Sequence, residues 1–442
     1  MKHIFFISVL LFTQLTFAQD KIWTLEDCIR YAVEHNPGRA KQEAQNTIYK
    51  INQQQAVAGF FPSLDASTSV SANFGRGIDP NTNTYISTST FGNSYSVYSN
   101  MTLFDGLSQV YRAKFAKINR LMGKEQLQDV KDQIALDVMT TFFDVLYYKG
   151  TVHLAEQQLE ESATSLKQVQ RMEELGMKAT PDVAEIRATD AQNRYLLTQQ
   201  RNLLRIEIIQ LKEKMNFPID EDLLVVDSET PEAMNVSDTD AVTIFEQAKQ
   251  FLPKILAADQ LVKATEAQYK VARGQIFPFL SLQAGYNTGF SRLMDNSPYE
   301  SFKEQLKNRL GSYIGVGLSI PIFDNLSRSA NKRVAKQQLV MARSDNEATL
   351  RQIYSDIEQA VADVNGLRDQ SQSAHDKTVA SLEAHKVNQR KYDEGLISAL
   401  ELTTSTNRLL NDRVEELHTS LQYQLKSKLL NYYKGVTSWT EF

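Results

Sequence analysis

The sequence has a single cysteine, Cys28, so no disulfide can close within the chain. The charged residues Glu26 and Asp27 directly before it do not suit a lipoprotein cleavage site, and Cys28 reads as a small buried residue on a helix. Beyond Ala18 there is no apolar run of the roughly 20 residues that a spanning helix requires, which argues against a helical inner-membrane protein. Positive charge is not in excess. The 48 Lys and Arg face 53 Asp and Glu, a formal charge of −5, which argues against a nucleic-acid partner. Glycine-rich phosphate loops of the required spacing are missing. Of the six histidines, His3 falls in the leader, and His35, His153, His375, His385 and His418 lie on expected helices without paired ligand spacing. No catalytic residue, metal ligand or cofactor site is assigned, and an enzyme is not expected. Proline is scarce as well, with none between Asp105 and Glu174.

The leader itself is informative. Lys2 precedes a mostly apolar stretch from Ile4 to Leu15, followed by Thr16-Phe17-Ala18. This is the pattern of a secretory signal peptide covering residues 1–18, with cleavage expected after Ala18. The stretch is too short for a comfortable membrane anchor.

The chain is organised around the stretch from Ser94 to Glu174. A strand-like run, Tyr95 to Phe104, leads through Asp105-Gly106 into a helical run ending near Glu174. Tyr313 to Asp324 has the same form, and a second helical run follows it to about Glu394. About 65 helical residues at 1.5 Å each reach roughly 100 Å, more than a globular core needs. Other pairs match in order. Asn36-Pro37 answers Leu252-Pro253, and Phe61-Pro62 answers Phe277-Pro278, both at an offset of 216. Phe104-Asp105 answers Phe323-Asp324, and Gly176 answers Gly395, both at 219. The reading is a duplicated unit: residues 19–218, an acidic segment 219–240, residues 241–434, and a tail 435–442.

Each half starts with a helix, capped in the first by Thr24 with Asp27 near its positive end. Pro62 and Pro278 then end helical geometry. Leu64, Ala66, Thr68, Val70, Ala72 and Phe74 alternate with polar residues, as do Leu280, Leu282, Ala284, Tyr286 and Phe290. Polar loops are expected over 75–93 and 291–311, with return strands from Tyr95 to Phe104 and from Tyr313 to Ile320. Gly315 and Gly317 in the last strand suggest close packing or barrel curvature. Strands of about ten residues with one apolar face suit a transmembrane β-barrel, although a soluble β-layer on helices has the same alternation. Four strands enclose no lumen, so a barrel would be shared between chains.

The long helices carry heptads. Val138, Val145, Val152, Leu159 and Leu166 form one line, and Ile134, Thr141 and Tyr148 a partial second. In the second half Ile357 and Val364 hold the line, which weakens at Ser371, Thr378 and His385. A closed tube and a simple helical hairpin both explain such a seam. Gly176 and Gly395 end the long helices, and return helices run from Pro181 to about Asn216 and from Leu400 to about Lys434.

Taken together, these motifs resemble the TolC-like outer-membrane efflux protein family over nearly the whole chain. The resemblance rests on Thr24-Leu25 with Asn36-Pro37, on Pro62 and Pro278 before the first strands, on Leu103-Phe104-Asp105-Gly106 and Pro321-Ile322-Phe323-Asp324 closing the second ones, and on the sequences around Gly176 and Gly395. It implies a mainly α fold with a transmembrane β part. Three chains would give four strands each to one twelve-stranded β-barrel in the outer membrane. Their long coiled-coil helices would form a trimeric α-barrel reaching into the periplasm. Implied partners are two further copies, a periplasmic adaptor, an inner-membrane pump and outer-membrane lipid.

The resemblance also implies site residues. Arg171, Leu175, Gly176, Met177, Arg390, Gly395 and Leu396 would form the tip that meets the adaptor. Asp182, Glu185 and Glu401 would form an acidic periplasmic gate, and Tyr392 matches a tyrosine that links neighbouring helix pairs. Asp182 also reads as an ordinary helix-dipole carboxylate. The sequence departs from the family pattern at Thr404, where a second aspartate ring would stand, and at Ile397, where an arginine link would stand. The expected function is a passive exit duct for small molecules in a tripartite efflux pump. A type I protein-secretion channel fits the same residues, and a non-conducting periplasmic coiled-coil scaffold is the rival from another class.

Overall fold

The computed structural model describes residues 21–78, 83–87, 89–226, 240–294 and 298–436. The signal-peptide reading, most of the acidic segment and the tail beyond 436 lie outside the described residues.

In chain order, β1 (Ile22–Trp23), α1 (Leu25–His35) and α2 (Pro37–Ala58) come first. Next are β2 (Ser63–Asn73), β3 (Arg76–Ile78), β4 (Tyr85–Ser87) and β5 (Thr90–Phe104). The helices α3 (Ser108–Glu174) and α4 (Thr180–Met215) follow. The second half runs β6 (Leu224–Val225), α5 (Ala241–Phe251), α6 (Pro253–Gly274), β7 (Phe279–Leu293), α7 (Phe302–Asn308) and β8 (Gly311–Ser319). It ends with α8 (Ser327–Asp393) and α9 (Ala399–Tyr433). The fold is mainly α with a small β part. The helices α3 and α8 each have 67 residues, about 100 Å of helix at 1.5 Å per residue. Both begin and end at a spacing of 219: 327 − 108 and 393 − 174.

The chain divides into two compact units, each drawing on both halves of the sequence. The helical unit spans residues 1–40, 130–248 and 354–442. Its largest core gathers Cys28, Ile29 and Val33 of α1, Val138, Phe142 and Val145 of α3, and Leu211 and Met215 of α4, all almost fully buried. The Thr24 hydroxyl accepts the Asp27 amide at 3.2 Å and starts α1. Asn36 adopts extended geometry before Pro37, so the chain breaks there before α2 begins. Asn216 caps α4 at φ +52°, a left-handed position that asparagine tolerates. Trp23 stacks edge-on against Tyr31 and Phe217, 5.4 Å from each, where β1 pairs in parallel with β6.

The heptad line drifts along α3. Val138 and Val145 are buried, whereas Val152, Leu159 and Leu166 are only half-buried. The buried line moves to Thr141, Ala155, Ser162 and Val169, which continues the second register. A straight helix drifts by about 20° per strict heptad, enough over several heptads to carry a neighbouring position into the interface. In α8, Ile353, Ile357, Ala360 and Val364 are buried at steps of 4, 3 and 4, and the buried positions resume at Ala374, Thr378, Ser381 and Tyr392 after gaps of 10 and 11 residues. On the Ile357–Val364 line Thr378 stays buried, whereas Ser371 and His385 are half-buried, so the seam weakens in burial as well as in residue type.

The sheet unit spans residues 41–129 and 249–353. Its four-stranded antiparallel sheet has the order β2-β5-β7-β8. The register places Ala66, Val97 and Tyr286 opposite one another on one face, and Ser67, Ser96 and Asn287 on the other. Hydroxyl pairs Ser67–Ser96 and Ser69–Ser94, each 2.7 Å apart, lace the polar face.

Four local expectations need correction. The return strand starts at Thr90 rather than Tyr95, because 90–94 continue the ladder with both β2 and β7. The region 75–93 holds the short β3–β4 hairpin. The region 291–311 is not all loop: β7 runs to Leu293, and α7 forms where Ser301 and Glu304 make a reciprocal capping box. Finally, a Cβ at Gly315 would meet nothing within 4 Å and one at Gly317 would make only ordinary contact, so close packing does not explain these glycines.

Close approach occurs instead where strand meets helix. After Phe104 and Phe323, Asp105 accepts the Gln109 amide at 2.8 Å and Asp324 accepts the Arg328 amide at 3.1 Å. The repeated Phe-Asp motif thus starts the two long helices. Gly106, at φ +69°, presses on Gly274: a Cβ on either would collide with the other's backbone carbonyl. We expect Gly274→Ala to lower the thermal unfolding midpoint of the purified protein well below that of Gly176→Ala. The latter meets no atom within 4 Å and carries only a left-handed φ of +72°, a cost of about 1–2 kcal/mol. Equal shifts would show that the Gly106–Gly274 approach is unimportant.

Candidate functional site

Both helical hairpins turn through the same hydrogen-bond pattern. The Met177 amide donates to Met172 O and the Gly176 amide to Glu173 O, each at 2.8 Å. In the second hairpin, Leu396 donates to Lys391 O at 2.8 Å and Gly395 to Tyr392 O at 3.0 Å. These are Schellman turns, in which the glycines, at φ +72° and +73°, supply the left-handed residue. The turns leave apolar side chains in water: Leu175 is 64 %, Met177 70 % and Leu396 68 % exposed. Arg171 pairs with Glu174 at 3.1 Å on the exposed surface, and Arg390 is also exposed. The tip residues expected from the sequence therefore do lie on and beside two turns that present apolar groups to solvent.

Behind the turns is a small core of Val169, Val183, Ile186, Tyr392, Ala399 and Leu402. Tyr392 is 4 % exposed and ties the α3–α4 hairpin to the α8–α9 hairpin within one chain. Lys178 lies 4.2 Å from its ring centroid. Burial raises the Tyr392 pKa, and the nearby Asp182 and Asp393 carboxylates raise it further. Its hydroxyl has no hydrogen-bond partner among the described residues. Asp182 thus lies within electrostatic reach of Tyr392, in the first turn of α4. Glu185 is half-buried, and its carbonyl accepts the Thr189 hydroxyl at 3.1 Å. Glu401 is exposed, its amide donating to the Ser398 cap at 3.3 Å.

Above this core the hairpins are held by polar layers. Ser162 donates to buried Asp190 at 3.4 Å, and Arg194 pairs with the same carboxylate at 2.8 Å. In the second hairpin, Ser381 donates to buried Asp412, which Lys377 also meets at 2.9 Å. Burial pushes the Asp412 pKa up, but the Ser381 hydrogen bond and the Lys377 charge outweigh it and hold the group below its ordinary value. The sequence reading missed these carboxylates. The signal was present: Ser162 and Ser381 are themselves 219 apart, on the buried lines of α3 and α8. A groove of about 780 Å³ opens over the Tyr392 core, lined among others by Glu161, Gln168, His385, Tyr392 and Arg413. Desolvation lowers the His385 pKa, Glu161 opposing the shift and Arg413 adding to it.

The second candidate surface is the apolar face of the sheet. Leu64, Val70, Ile314, Val316 and Leu318 are between 63 and 77 % exposed in the single chain. Exposed aromatics bound it. Phe61, Phe104, Phe277 and Phe323 lie at the end where the helices leave, and Phe74 lies at the other. β2 has 11 residues, which at the tilt of membrane barrels spans roughly the 25 Å of an apolar belt. No strand among the described residues pairs with the outer edges of β2 and β8. No helix of the described residues is long and apolar enough to cross a membrane.

Comparison with known proteins gives the following. Residues 244–434 match the family model described as outer membrane efflux protein. The chain is 24 % identical over 304 residues to the solvent efflux pump outer membrane protein SrpC of Pseudomonas putida. That match covers 66 % of this chain and 61 % of SrpC, so the match spans about three fifths of the relative's length. Among solved structures, CusC aligns with a TM-score of 0.81 at 16 % identity, over 95 % of both chains. VceC of Vibrio cholerae aligns with a TM-score of 0.79 at 13 % identity, over 93 % of this chain and 96 % of its own. These likenesses show the fold.

Two outcomes test the tip. Tyr392→Phe is expected to leave the unfolding midpoint nearly unchanged, since the hydroxyl makes no bond, whereas Tyr392→Ala should cost about 3–5 kcal/mol. Equal losses would mean that the hydroxyl has a partner. For Asp412, whose folded pKa is depressed, the stabilisation is full above the unfolded value near 4 and is lost as pH falls through the folded one. Wild type should therefore lose melting temperature below about pH 4 more steeply than Asp412→Asn, as read by circular dichroism across an acid series. Parallel curves would remove Asp412 from the acid response.

Proposed function

We propose that this member of the outer membrane efflux protein family is the exit duct of a tripartite efflux pump. Three copies each supply their four-stranded sheet to one twelve-stranded barrel in the outer membrane, and their long helices to a tube in the periplasm. The observation that carries this reading is the sheet. It pairs an exposed apolar face with a hydroxyl-rich one, and both its edges are open. In lipid an open edge strands backbone amides, so the sheet must close with copies of itself. The duplicated plan of residues 19–218 and 241–434 gives each chain two strand pairs and two helical hairpins.

The turns at Gly176 and Gly395, with Arg171, Leu175, Met177, Arg390 and Leu396, are the docking tip for a periplasmic adaptor, which in turn meets an inner-membrane pump. Schellman turns hold these apolar groups rigidly outward, so little ordering is needed on docking. Asp182, Glu185 and Glu401 form the acidic narrowing at the tip, where crowded carboxylates favour cations. Tyr392 sets the distance between the two hairpins. With Ile397 and Thr404 where the family pattern has charges, closure relies on the Tyr392 core more than on ion pairs. The chain performs no chemistry of its own: substrates pass down a gradient set by the pump.

The test is conductance of the purified protein in planar bilayers, together with its mass in detergent. Trimeric mass with discrete, cation-preferring channels is expected, and Asp182→Ala/Glu401→Ala should raise conductance and weaken the cation preference. Unchanged conductance and selectivity in that variant would remove the gate. A monomer or dimer that never conducts would remove the duct and favour a periplasmic scaffold.

A further inference from the structure

The helix α7 packs on the face of the sheet that the barrel reading turns toward lipid. The Thr288 hydroxyl donates to Leu306 O at 2.7 Å, and Gln305, 2 % exposed, accepts the Ser291 amide at 3.0 Å through its side-chain oxygen. Phe302 meets Tyr95 and Phe290, with ring centroids 6.4 and 5.4 Å away. By register, Tyr95 pairs with Thr288 and Asn93 with Phe290, so all four share the face of Val97 and Tyr286. That is the apolar face.

Its height is equally informative. The helices leave the sheet at Phe104 and near Ser319, so the opposite end faces outward. From Phe279 to Phe290 the strand climbs 11 residues, about 37 Å along the chain at 3.4 Å each. Barrel tilt reduces this to roughly the height of the 25 Å apolar belt. Phe290, Arg292 and α7 therefore stand at the boundary between acyl chains and headgroups of the outer leaflet.

The helix has the chemistry of that boundary. At 100° per residue, Phe302, Gln305 and Leu306 point toward the sheet, Lys303 and Lys307 share one flank, and Glu304 lies on the outer side about 60° from Lys307. Both lysines are exposed. The Glu304 carboxylate is occupied, accepting the Ser301 amide at 3.1 Å and the Ser301 hydroxyl at 2.7 Å. On the same face of the sheet, Arg292 lies 5.8 Å from the Phe91 ring and 5.7 Å from the Tyr299 ring. Met294, Tyr299, Phe302 and Leu310, between 46 and 61 % exposed, surround this group. Apolar side chains with flanking cations, in a chain that is net acidic, fit an anionic lipid surface.

We propose that α7 is a lipid-binding element on the outside of the barrel, where Lys303, Lys307 and Arg292 take the phosphate groups of an outer-leaflet glycolipid while Phe302 and Leu310 rest against its acyl chains. The proposal rests on the barrel reading above. It is tested by native mass spectrometry of the full chain purified in detergent, incubated with diphosphoryl lipid A or with the same lipid stripped of its phosphates. Wild type should retain the phosphorylated form preferentially, and less so as salt rises. Lys303→Gln/Lys307→Gln should reduce that preference by roughly fivefold per lysine, while Lys303→Arg/Lys307→Arg should keep it. Equal retention of the two lipids by wild type, or an undiminished preference in the glutamine variant, would overturn the proposal. So would a glutamine variant that loses trimeric mass, which would assign α7 to a contact between copies. Conductance separates the two readings. A preparation that conducts without phosphate preference overturns the lipid site alone, whereas one that neither assembles nor conducts removes the barrel and the lipid site together.

Discussion

Backbone hydrogen bonding at the edges of the four-stranded sheet is the constraint on which the rest depends. Inside the sheet, β5 and β7 have both sides paired. The outer edges of β2 and β8 do not, and the face between them is apolar and exposed. In water this sheet would invite aggregation. In lipid the edges would each forfeit several kcal/mol per unpaired group. The proposed closure with further copies inside an apolar belt would answer both problems. The hydroxyl pairs Ser67–Ser96 and Ser69–Ser94 on the opposite face satisfy one another and would line the inside of that barrel.

The long helices answer a different constraint. Isolated helices gain little from propensity alone and need a packed face. The upper part of the helical unit supplies it with large apolar groups, Phe142, Val138, Met139 and Leu211. Toward the turns the buried positions become Thr151, Ala155, Gln158 and Ser162, matched by Asp190 and Asn193. Such layers add less hydrophobic stabilisation and demand fixed partners, so they favour one register over its neighbours. The apolar core around Tyr392 then holds the hairpin ends together.

The resemblance of the two halves also has a physical reading. Phe104-Asp105 and Phe323-Asp324 recur where a strand turns at once into a long helix. The aspartate captures a free amide in the first turn of the helix. Gly176 and Gly395 recur because a Schellman turn needs a left-handed residue. Gly106 and Gly274 are required for another reason, the contact of two backbones. Only coordinates distinguish the two causes, since a glycine has the same letter in each.

The element order, the strand alternation, the Asn36-Pro37 break, the Thr24 cap and both turn glycines were legible in the sequence, because each depends on residues a few positions apart. The positions of Leu175, Met177 and Leu396 beside those turns were legible for the same reason, whereas Tyr392 has no counterpart in the first half and was singled out only through the family resemblance. What reached across the chain was not legible. The drift of the α3 seam from Val152 to Ala155 depends on how its neighbours wind. The pairing of Ser162 with Asp190 and of Ser381 with Asp412 depends on which faces of separate helices meet. The helix α7 was hidden because its seven residues are too few for periodicity to show, and its place on the apolar face follows from the registry of β5 with β7. Local rules of turn, cap and alternation are written in sequence; the choice of partner for each buried polar group and each strand edge is made only when distant segments come together.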